Sequence, residues 1–248
     1  MSNLNSFDFC QTLDPKIFTR ISEWIADTIT TISIFIVPEG SGDESLGIVM
    51  KFVDSLGSLK SVSIVGHVNI DVTPIILSLR KHSSSLITLK LALCTIDDDA
   101  MKSLSEHDQL REIVFHQLHF SSNHEIPLPL ISLPRLKSLN YWEYNSTNSP
   151  VHRIIRDNGE NLTHLNIHTN IERCIKLFDT ISTNCPFLIS FTTPISEQRD
   201  FIALFSILER CNHLKRLCIH EFNIININEG YIVLYRIHTR FFIVSENQ

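Results

Sequence analysis

A fixed spacing constrains this chain more than any single residue does. The stretches LKSLNYWEYN at 136–145, LTHLNIHTNI at 162–171, LISFTTPISE at 188–197 and LKRLCIHEFN at 214–223 begin 26 residues apart. Each opens with an apolar residue, two variable ones, a second apolar residue and then alternation. Followed back to the first residues, the starts are Leu4, Ile29, Leu59, Leu86, Leu110, Leu136, Leu162, Leu188 and Leu214. Between them run segments with helical spacing, such as CIKLFDTI and FIALFSIL. One alternating segment would be an ordinary strand; nine in phase make a repeat.

A strand and a helical return recurring every 20 to 29 residues is the pattern of a leucine-rich repeat. The expected fold class is α/β: a solenoid with a curved parallel sheet and helical or irregular convex returns. An ordinary βαβ sheet has no reason to keep an equal period over many units. The expected organisation is a solenoid of about nine units over residues 1–222, and a β-rich cap or tail over 223–248 in which Glu229-Gly230 turns a hairpin.

The returns differ in quality. Asp14-Pro15 opens a helix with Ile17, Ile21, Trp24 and Ile25 on one face. PEGSGDES reads as a loop before a helix carrying Leu46, Val49, Phe52, Val53 and Leu56; it lacks the lysine and glycine spacing of a phosphate loop. Thr73-Pro74 starts a short helix, and Asp97 caps one that buries Met101 and Leu104. After Ser121, three prolines forbid a regular helix, leaving a return held by Leu128, Leu130, Ile131 and Leu133. Asn158-Gly159 closes the sixth return. The seventh buries Leu177, Phe178 and Ile181, and the eighth Phe201, Leu204, Phe205 and Leu208.

Composition excludes several functions. The net charge is −6, and no basic run exceeds two residues, which argues against nucleic acid as a partner. No stretch approaches 18 uncharged apolar residues, so no membrane partner is expected, and the localisation reading is cytoplasmic or nuclear. The six cysteines show no paired spacing, as fits a reducing compartment. No cofactor and no metal are expected. Asp97, Asp98 and Asp99 diverge around a helix start and favour its dipole. His164 and His168 lie about 13 Å apart on a strand, too far to share one ion. No nucleophile elbow is recognisable, so the chain is not read as an enzyme.

The phrases NGENLTHLNI at 158–167, FDTISTNCPFLISF at 178–191 and ILERCNHLKRLCI at 207–219 resemble the irregular leucine-rich repeat half of F-box-type proteins, especially the expanded set of arbuscular mycorrhizal fungi. The resemblance covers about residues 4–222. It implies a repeat face that holds a substrate for a ubiquitin ligase, while an F-box engages the cullin-ligase adaptor. No F-box is found here, since the first strand is already at Leu4. This chain alone is therefore not expected to bind the adaptor. A scaffold unrelated to ubiquitination and a truncated product without function remain the alternatives.

Strand positions 1, 4 and 6 should enter the core and positions 3, 5 and 7 should face the concave side. Position 7 places His116, Trp142, His168 and His220 on that face, with His116, Trp142 and His168 in one row and Trp142 facing solvent. Asn140 and Asn166 lie one pleat away. The expected partner is a protein of unknown identity, centred on Trp142, with basic partners mildly favoured by the net charge. Position 9 holds Cys94 and Asn170, read as structural, and Cys185 and Cys211 are read as small buried residues near helix ends.

Overall fold

The structure, a computed structural model, describes residues 5–10, 28–36, 42–67, 70–121, 130–143, 150–169, 174–195, 198–227, 230–236 and 240–241. The expected first helix after Asp14, the proline-containing stretch 122–129, the Glu229 turn and Asn170 lie outside them. The chain forms two compact units, Met1–Leu136 and Lys137–Gln248.

In the first unit, strands β1 (Ser6–Cys10), β2 (Thr31–Phe35), β3 (Ser61–Val65), β4 (Thr88–Ala92) and β6 (Glu112–His116) pair in that order, all parallel. Two short strands, β5 (Thr95–Ile96) and β7 (His119–Phe120), form a separate parallel ladder. The helices are α1 (Gly42–Ser55), α2 (Thr73–Ser78) and α3 (Asp98–Leu104). The helix α1 starts earlier than the sequence suggests: Gly42, Asp43 and Glu44 belong to it and not to a loop. Pro74 sits in the first turn of α2, where its missing N–H costs nothing. The Asp97 carboxylate accepts from the Ala100 N–H at 2.8 Å, capping α3 as expected, and the Thr73 hydroxyl accepts from the Asp97 N–H at 3.0 Å.

In the second unit, β8 (Ser138–Glu143), β9 (His164–Thr169), β10 (Ser190–Pro194) and β11 (Arg216–Ile227) are parallel neighbours. The helices α4 (Val151–Asn158), α5 (Cys174–Asn184) and α6 (Gln198–Arg210) alternate with them. The far half of β11 turns into an antiparallel pair with β12 (Gly230–Arg236), so a hairpin does follow Phe222. A last strand, β13 (Arg240–Phe241), runs antiparallel against Leu217 and Cys218.

Each of the nine strands named from the repeat opens two residues after its apolar start, from Leu4 and Ser6 to Leu214 and Arg216. The offset has a cause in the turn before the strand. The N–H groups of Leu110, Leu136, Leu162, Leu188 and Leu214 donate to the carbonyls of His107, Leu133, Gly159, Cys185 and Cys211. These five acceptors are themselves 26 residues apart, and all are buried. The next residues then donate across to the preceding rung, as Thr163 and His164 do to the Lys137 carbonyl. The backbone of each turn is thus satisfied before its strand begins.

The core lies between strands and helices. Phe191 of β10 meets Phe178 of α5 edge-on at 5.9 Å, and Phe7 of β1 meets Phe52 of α1 at 5.7 Å. Met101, Leu104, Leu177, Phe178 and Ile181 are buried as expected. Three assignments fail. Leu208 is only half-buried, and Phe205 is 61% exposed, because Leu204 and Ile207 form the buried stripe of α6 and Phe205 falls about 100° from Leu204. Leu130 is 62% exposed, while its neighbours Ile131 and Leu133 take the core.

Leu93 and Gln117 follow β4 and β6 with φ of 54° and 52°, a conformation that side chains rarely adopt. That left-handed step turns the chain off the main sheet and into β5 and β7. Gln117→Gly should stabilise the first unit by about 0.5–1 kcal/mol, since relief of the strain outweighs the added freedom of the unfolded chain. A urea midpoint that falls instead would mean the glutamine side chain holds the turn.

Candidate functional site

On the strands of the second unit, burial alternates as the parity argument requires. Leu139, Tyr141, Leu165, Ile167 and Phe191 are buried on the helix side, and Ser138, Asn140, Asn166, Ser190 and Thr192 are half-buried on the other. Parallel register brings equivalent positions side by side: Asn140 opposite Asn166, Asn166 opposite Thr192, and Trp142 opposite His168. Thr192 was not singled out in the sequence; its place in the 26-residue column was the available signal.

Trp142 and His168 form the centre of this face, with ring centroids 4.3 Å apart and planes tilted by 58°. The arrangement corrects two expectations. His168 is only 3% exposed, covered in part by the indole, and Trp142 is half-buried and does not stand free in solvent. Pro194, at the same position 7 of its strand, is buried as well. At that position parity does not predict exposure in β9 and β10.

Beneath Trp142, on the helix side, the Tyr141 hydroxyl hydrogen-bonds the Glu143 carboxylate, and both residues are buried. This pair anchors the end of β8 from inside and was missed because a Glu two residues past a core Tyr reads as a loop residue. Asn166 has a different character. Its Oδ1 is buried and accepts no hydrogen bond from any described residue, an unusual state for an amide.

The remaining predicted residues lie outside β8 and β9. His116 ends β6 in the first unit, half-buried, with its imidazole pKa lowered by burial. His220 lies in β11 opposite Pro194. Cys94 is fully buried, and burial pushes its thiol up to about 12, followed by the like charge of Asp71. That holds it protonated, as suits packing and not nucleophilic attack. Cys185 and Cys211 are buried with thiols raised to about 12 and about 11, again by burial first. The Cys211 thiol donates to the Cys185 carbonyl at 3.2 Å.

Among the described residues, no three His, Cys, Asp or Glu side chains are placed to hold a metal ion. No described helix is long and apolar enough to cross a membrane. No family model matches the chain, and no curated protein matches it either.

Proposed function

We infer that this chain is a leucine-rich repeat solenoid that binds another protein through the strand face carrying Trp142. The observation that carries this reading is the Trp142–His168 stack, flanked by the in-register amides of Asn140 and Asn166. A tryptophan already packed on one side loses little freedom on binding and still offers apolar area. An open sheet face also suits a protein better than a small molecule, which needs a closed pocket. Trp142→Ala should weaken partner binding by about 2 kcal/mol or more, while costing the fold only about 1 kcal/mol from the lost ring contact. Titration of a captured partner against both chains, with melts of each, checks this. An unchanged dissociation constant would place the contact elsewhere.

The resemblance to F-box-type repeats favours one class of role, the presentation of a substrate to a ubiquitin ligase. On that reading the purified chain binds substrate and does not bind the cullin-ligase adaptor by itself. Tight association with the adaptor in a binding titration would reverse it.

A further inference from the structure

We propose that the segment recognised on this face is an extended, uncharged stretch of polypeptide, held through its main-chain amides. The inference rests on the reading of Trp142 as a protein contact and adds the chemistry of the partner. Its first support is a missing one: no Lys, Arg, Asp or Glu occupies an open position on β8, β9 or β10. Those positions hold Ser, Asn, Thr, His and Trp instead. The net charge of −6 therefore resides elsewhere, and the preference for a basic partner that it suggests does not apply here. A charged side chain laid across the face would give up its hydration without meeting a counter-charge.

The second support is the row Asn140, Asn166 and Thr192. An asparagine amide carries the same donor and acceptor groups as a peptide bond, so a row of them matches a backbone whatever its side chains are. Asn166 Oδ1, buried without a donor among the described residues, has acceptor capacity that they leave unused. Rotation about the last torsion exchanges the amide's oxygen and nitrogen, so either group can meet a main-chain group of the partner. The Trp142 indole then takes one apolar side chain at the end of the row.

The test is a selection of short random peptides displayed against the intact chain, counter-selected on Trp142→Ala. The expected result is a set depleted of Lys, Arg, Asp and Glu that binds with less than about twofold change between low and high salt, because screening acts only on formal charges. Asn166→Asp should reduce the affinity of these peptides at least about tenfold, and Thr192→Asp should act in the same direction from a half-buried position that tolerates the charge. Enriched peptides that are charged, salt-sensitive and Trp142-dependent would overturn the neutral-segment inference and leave the Trp142 contact standing. Peptides indifferent to Trp142→Ala would remove both. A selection that enriches nothing, or a neutral oligosaccharide bound on a glycan array in place of any peptide, also overturns it.

Discussion

Replacing Gly159 with alanine should destabilise the second unit by about 3 kcal/mol or more, the upper end of what overpacking costs. A Cβ at this position would stand 2.4 Å from the Asn184 carbonyl oxygen and 2.8 Å from its carbon. Both are backbone atoms at the end of α5, so no side chain can swing aside. The backbone at Gly159 has an ordinary helical φ of −58°, which means close approach and not conformation demands glycine. Moving Asn184 would also shift Cys185, whose carbonyl accepts from both the Leu188 N–H and the Cys211 thiol. The damage should therefore pass to the next turn. Gly47, inside α1 with no described residue within 4 Å of its would-be Cβ, supplies the contrast. Gly47→Ala should stabilise by about 0.5–1 kcal/mol through helix propensity. Urea unfolding of the two variants checks both signs, and a Gly159→Ala midpoint equal to the parent's would show that the turns are not in contact.

The second large effect is acid lability arising at His107. This residue is 1% exposed, neither ring nitrogen has a hydrogen-bond partner among the described residues, and burial pushes its pKa down to about 4. The nearby charges are Glu106 and Asp108, which favour the imidazolium, and Arg80 and His82, which oppose it. Because the folded pKa lies below the ordinary value near 6.5, the stability it protects is complete above pH 6.5 and is lost as pH falls toward 4. The full loss is about 3 kcal/mol. His82, also 1% exposed, has its pKa lowered chiefly by burial, so it acts in the same direction. It is better served, with Nδ1 accepting from the Leu59 N–H at 3.4 Å and Nε2 facing the Val53 carbonyl at 3.1 Å. His107→Leu should raise stability by about 1–2 kcal/mol at pH 7.5 and by more at pH 5. Leucine fills the equivalent place at Leu133, which is buried, so the site accepts that shape. Urea melts at several pH values should show a shallower acid slope for the variant; an unchanged slope would mean that His107 does not govern it.

These two residues mark where the sequence could be read and where it could not. All nine strand starts were legible because apolar residues at fixed intervals report a backbone period, and each lies two residues before its strand. The column 107, 133, 159, 185 and 211 was equally present in the sequence, but it holds His, Leu, Gly, Cys and Cys. Only the hydrogen bonds to the following leucines reveal it as one structural position. Side-chain outcome at strand ends was less accessible. Parity put His168 in the open, yet it is 3% exposed, with the Trp142 indole packed against it. In α6, Leu204 and Phe205 compete for the core as neighbours of equal hydrophobicity, and the helix phase that decides between them depends on contacts with α5.

The strand β13 has a consequence for assembly. A parallel ladder with a bare last edge is a template: another copy, or any extended chain, can continue it by donating its own N–H groups to the waiting carbonyls. At β11 that edge is taken, since Arg240 and Phe241 run backwards along Cys218 and Leu217. Farther along, β12 claims Glu221 to Ile227 in the same reversed sense. These reversed strands lie where a further parallel rung would add. A copy recruited in register at β11 would first have to displace them, which sets a cost on growth of the sheet at that edge.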